Sequence, residues 1–63
     1  MADPVKWIDG KKYMWDGKTY GLEGETLETA ALYAKARFDV QVVHGEGEYL
    51  IYTRRTVEAA AVQ

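Results

Sequence analysis

The sequence predicts a small α+β domain ordered β-β-α-β-β, in which one helix packs on one face of a small antiparallel sheet built from two β-hairpins. Three stretches carry that expectation. KKYMWDGKTYG (11–21) sets aromatic residues around an Asp-Gly pair, and GETLETAALYAKARF (24–38) repeats apolar residues at helical spacing. VQVVHGEGEYLIYTRR (40–55) places strand-forming runs on either side of a glycine-rich turn.

In the first hairpin, Asp-Gly occurs twice, at Asp9-Gly10 and Asp16-Gly17. This dipeptide supplies the positive φ angles of a type I′ turn; residues that suit strands flank both copies, and the second is the better candidate. A two-residue loop at Asp16-Gly17 would pair Trp15 with Lys18, Met14 with Thr19 and Tyr13 with Tyr20. Alternation would then put Tyr13, Trp15 and Tyr20 on one face. Asp9-Gly10 would either add Val5 to Ile8 as a third strand or turn an N-terminal arm that packs Trp7 on the sheet.

The helix is expected at about 26–38, with Thr26 as N-cap and a buried stripe of Leu27, Ala30, Ala31, Ala34 and Phe38 at i, i+3, i+4, i+7 and i+11. Glu25 and Glu28 suit the positive end of the helix dipole, and Lys35 and Arg37 the negative end. A stripe so rich in alanine lets the helix approach the sheet closely but supplies little apolar area. The large aromatics of the sheet must fill the remaining space.

In the second hairpin, a loop of Glu46-Gly47 pairs His44 with Tyr49, Val43 with Leu50, Val42 with Ile51 and Gln41 with Tyr52. A loop of Gly45-Glu46 shifts every pair by one residue, so the register stays open. On the first register Val40, Val42, Tyr49 and Ile51 share one face, and Gln41, Val43, Leu50, Tyr52 and Arg54 share the other. Residues 56–63, TVEAAAVQ, would form a short second helix capped by Thr56, or a tail that is frayed or docked only in a complex.

The 63 residues form one domain, 1–63, with room for a single small core. At 48% hydrophobic and 13% aromatic the composition is globular. The absence of Cys excludes disulfides, thiolate metal sites and a thiol nucleophile. A domain of this size then depends on good packing or on association with another chain. No basic-then-apolar leader opens the sequence, and no apolar run reaches the roughly 20 residues that span a bilayer. A cytoplasmic protein with no membrane contact is therefore expected.

Candidate chemistry is sparse. His44 is the only histidine, and no carboxylates cluster at a ligand spacing, so neither a metal nor a cofactor is expected. The glycines of GLEGET and GEGEY are interleaved with glutamates, which repel phosphate. Glu46 and Glu48 flank Gly47 at a hairpin tip, where solvent keeps carboxylates ordinary. With so little material for a pocket, an enzyme or a small-molecule substrate is not expected.

What stands out is the sheet face of Val43, Leu50, Tyr52 and Arg54. A sheet covered by one helix should be polar on its other side, and these residues are not. The leading expectation is a non-catalytic protein-interaction module, as adaptor, small subunit or homodimer, that uses this open face against a protein partner or itself. The alternative is a nucleic-acid-binding or regulatory domain that stacks bases on the aromatic and arginine side chains. A formal net charge of −2 with interspersed signs disfavours it.

Overall fold

The computed structural model describes residues 3–56 of the chain. It contains β1 (Val5–Ile8), β2 (Lys11–Tyr20), α1 (Glu23–Lys35), β3 (Phe38–His44) and β4 (Tyr49–Arg55). The strands form one curled antiparallel sheet in the order β1-β2-β4-β3, with α1 packed mainly over β3 and β4. This is the expected α+β arrangement of two hairpins and one helix. The second helix expected at 56–63 lies, beyond Thr56, outside the described residues. Among the described residues no helix is long and apolar enough to cross a membrane.

Asp9-Gly10 turns Val5–Ile8 into the sheet, one of the two roles expected of it, whereas Asp16-Gly17 is not the expected hairpin turn. Asp9 (φ 53°) and Gly10 (φ 76°) are both left-handed, and they close the β1–β2 hairpin with Ile8 opposite Lys11. Positive φ at both central positions is what a type I′ turn requires. Asp16-Gly17 lies inside β2, which pairs through Trp15 with Tyr52 and through Thr19 with Leu50. Asp16, Gly17 and Lys18 therefore stand opposite Ile51 alone, as a bulge in which Gly17 takes φ 86°.

Local hydrogen bonds hold the bulge. Asp16 Oδ1 accepts the Lys18 N–H at 3.0 Å, and the Trp15 indole donates to the Lys18 carbonyl at 2.9 Å. Tyr13 and Trp15 consequently face the same side as Leu50 and Tyr52. Tyr20, paired with Tyr49, faces the helix side instead of joining Tyr13 and Trp15.

The helix begins three residues before the expected start. Leu22 is its N-cap and offers no side-chain bond to the free N–H groups. Thr26, expected as the cap, lies within the helix, fully buried, and its hydroxyl donates to the Leu22 carbonyl at 2.7 Å. The stripe that meets the sheet is Thr26, Thr29, Ala30 and Tyr33, whereas Leu27, Ala31 and Ala34 are exposed. The helix is thus turned away from its apolar stripe. A buried threonine is tolerated because its hydroxyl is satisfied within the helix. Past Lys35 the chain leaves through Arg37 at φ 72°, and Phe38 opens β3 with its ring edge-on to Tyr33 at 6.0 Å.

The second hairpin takes the Glu46-Gly47 register, with His44 opposite Tyr49 and Val43 opposite Leu50, and Gly47 supplies the positive φ. Its faces divide as expected from that register. Ile51, with no exposed surface, lies under the helix.

Candidate functional site

Pairing places Val43, Leu50, Tyr52 and Arg54 together on the face away from α1. Leu50 and Tyr52 are buried there, whereas Val43 and Arg54 are half-buried. Tyr52 is 1% exposed and Leu50 8% exposed, in a cluster with Tyr13 against which Ile8, Trp15 and Val43 also pack. The sheet curls, and among the described residues no helix or further strand covers this side, which its own side chains fill. The Tyr52 hydroxyl donates to the Asp3 carbonyl at 2.7 Å, and the Lys6 ammonium lies 5.6 Å from the centre of its ring. Burial, with Asp3 nearby, raises the Tyr52 phenol above its ordinary pKa.

Arg54 is engaged as well. Its Nη1 donates to Asp39 Oδ2 at 2.7 Å, and Thr56 donates to the other carboxylate oxygen at 3.1 Å. These two hydrogen bonds hold the Asp39 carboxyl below the usual carboxylate range. An aromatic ring sealed in a core and an arginine held by a carboxylate offer a base no platform on which to stack.

A polar cluster absent from every expectation above lies on the helix side. Asp16 Oδ2 accepts the Tyr20 hydroxyl at 2.7 Å and the Tyr33 hydroxyl at 3.1 Å. Tyr33 comes from α1, so this carboxylate ties the bulge of β2 to the helix. Burial first, then the Asp16 hydrogen bond and charge, raise the Tyr20 phenol far above its ordinary pKa; Tyr33 is raised by burial and by the same carboxylate. Both phenols stay protonated at neutral pH, which suits donation to a carboxylate and opposes action as a nucleophile or base. Only the Asp-Gly pair, able to form a bulge as well as a turn, could have pointed to this cluster.

His44 is exposed and stacks on Tyr49, with ring centres 4.4 Å apart and planes inclined by 8°. Among the described residues no three His, Cys, Asp or Glu side chains converge as a metal site requires. The chain matches no protein family, no curated protein and no solved structure.

Large apolar side chains are exposed elsewhere. Trp7 is 67% and Met14 51% exposed; register puts both on the helix side of β1 and β2, beyond the part that α1 covers. On the helix itself Leu27 is 54% exposed, and Leu22 and Leu32 are more so. The chain thus directs large apolar side chains outward while burying Tyr13, Tyr20 and Tyr52.

Proposed function

We propose that the chain is a non-catalytic protein-interaction module, and that its contact surface is the helix side of the molecule and not the face of Leu50 and Tyr52. The observation that carries this reading is the exposure of Trp7, Met14 and Leu27 on that side. Tryptophan and methionine are enriched at protein interfaces, and tryptophan is among the residue types enriched at binding hot spots. No comparable observation supports nucleic-acid binding, since Tyr52 is buried and Arg54 is paired.

The test uses the full chain, immobilised, against extracts, with sedimentation equilibrium of the free chain alongside. Trp7→Glu and Leu27→Glu should each leave the circular dichroism spectrum intact, because both side chains stand in solvent, and the double variant should reduce self-association or the capture of a specific partner at least tenfold. Association that survives both changes, or an absence of any association in the unmodified chain, overturns the reading.

A further inference from the structure

Among the described residues the strand order leaves β3 at an edge of the sheet, and hydrogen bonding fixes which of its backbone groups point outward. The Gly45 N–H donates to the Glu48 carbonyl at 2.8 Å, and the Thr56 N–H donates to the Arg37 carbonyl at 3.1 Å. Both are pairs of the β3–β4 register, which places the odd-numbered residues of β3 in hydrogen-bonded pairs with β4. Phe38, Val40, Val42 and His44 therefore turn their N–H and C=O groups away from β4.

Proteins guard such an edge with lysine, proline, a bulge or an inward charge. Over Phe38–His44 there is no lysine, no proline and no irregularity of register; the one formal charge at neutral pH, Asp39, is held by Arg54.

The exposed flank of α1 lies on this same side. At about 100° per residue, Leu27, Ala31 and Ala34 occupy one flank of the helix, and Glu25 and Leu32 the opposite one. The second flank is turned toward β2. Tyr33, between it and the sheet, reaches Asp16 of the bulge at 3.1 Å. Leu27, Ala31 and Ala34 are thus left on the flank toward β3 and the open edge.

We propose that a second copy of this chain pairs with β3, antiparallel about a two-fold axis through Gln41, and packs its helix against this helix. That register engages all four outward residues: Phe38 faces His44 of the second copy, and Val40 faces Val42. On the other face Asp39 meets Val43 and Gln41 meets Gln41, so no like charges oppose each other. The sheet becomes continuous through eight strands, four from each copy. The apolar stripe that the single chain leaves in water becomes the helix–helix contact, with Ala31 and Ala34 small enough to let the backbones approach.

The proposal rests on the reading of the chain as an interaction module and names its partner. Sedimentation equilibrium of the full chain, from about 1 to 200 µM, should give a dimer. Val42→Pro removes an N–H that points away from β4, so the chain should stay folded and become monomeric. Val43→Pro removes an N–H bonded to β4, and it should unfold the chain. Ala31→Glu, at an exposed helix position, should give a folded monomer by an independent route. It decides the matter if Val42→Pro disturbs the fold. A monomeric unmodified chain, or a dimer that survives Ala31→Glu, overturns the proposal. The module reading fails separately: Trp7 lies on β1, at the edge opposite the proposed dimer contact, and the reading falls when the chain neither self-associates nor captures a specific partner that the Trp7→Glu, Leu27→Glu double variant loses.

Discussion

The two sides of the sheet bury their residues by different means. On the side that α1 covers, Ile51 is fully buried, yet Trp7 and Met14 on the same side stand mostly in solvent. On the side that no described element covers, Tyr13, Leu50 and Tyr52 are buried by one another and by the curl of the sheet. A layer diagram would have reversed the two. Curvature substitutes for a second layer when aromatics are large enough to fill the concavity, and a helix covers only the strands it sits on.

The sharpest way to break this contrast is Tyr52→Ala. Truncation of a buried large side chain costs about 3 to 5 kcal/mol. A 63-residue domain holds roughly 3 to 9 kcal/mol in all, by the per-residue average. The variant should therefore lose most of its stability in urea denaturation. Leu32→Ala, on the outer surface of the helix, should stay within about 0.5 kcal/mol of the unmodified chain. Equal effects of the two changes would mean that the concave side is not a core.

How much of this was legible varies with the kind of information each element needed. The second hairpin was readable as an element from its strand-forming runs around a glycine-rich turn, but its register was not, because Glu46-Gly47 and Gly45-Glu46 both offer a glycine and only the pairing of β3 with β4 chooses between them. The helix was readable as an element but not in its rotation. Periodicity locates an apolar stripe, and only tertiary contacts decide whether the stripe meets the sheet. Here Thr26 and Tyr33 won that face through hydrogen bonds that hydrophobicity does not register. The first hairpin misled because Asp-Gly serves both a I′ turn and a bulge. Choosing between Asp9-Gly10 and Asp16-Gly17 needed the pairing of β2 with β4, a strand at the far end of the described chain. Alternation does put Val43, Leu50, Tyr52 and Arg54 on one face, but their burial depends on curl, which alternation does not encode.

A smaller effect sharpens the role of the bulge. Asp16 is the common acceptor for Tyr20, Tyr33 and the Lys18 N–H, so Asp16→Ala leaves two part-buried hydroxyls without their partner. A cost of about 2 kcal/mol is expected from unsatisfied groups of this kind. With Asp16→Ala already in place, Tyr33→Phe should then add almost nothing, because the bond it would remove is gone. Additive losses in that double-mutant cycle would show that Tyr33 is held by packing alone. Alkaline pH offers a second probe of the same cluster. The Tyr20 and Tyr33 phenols are raised in the folded state, so the stability they contribute is complete below the unfolded value near 10 and is lost as pH climbs toward their folded values.

The smallest expected effect lies at the rim of the concave side, where Asp39 accepts from Arg54 and Thr56. Its carboxyl is lowered from the ordinary 3.8, chiefly by the Arg54 hydrogen bond. A lowered folded-state pKa contributes stability that is present above the unfolded value and lost as pH falls through the folded one. Acid titration of stability should therefore show a decline that begins near the ordinary 3.8 and continues below it. Asp39→Asn should remove that part of the decline while costing less at neutral pH than Asp16→Ala, because the pair is open to solvent and screened. Since Asp39 is also the one formal charge on β3, the substitution asks a further question of that edge. If the Arg54 pair is what keeps Asp39 from opposing a second copy, Asp39→Asn should leave dimerisation unchanged, whereas Arg54→Ala, which frees the carboxylate, should weaken it. Sedimentation equilibrium of the two variants side by side measures this, and a weaker dimer in Asp39→Asn with none of that loss in Arg54→Ala would mean that the carboxylate itself takes part in the contact.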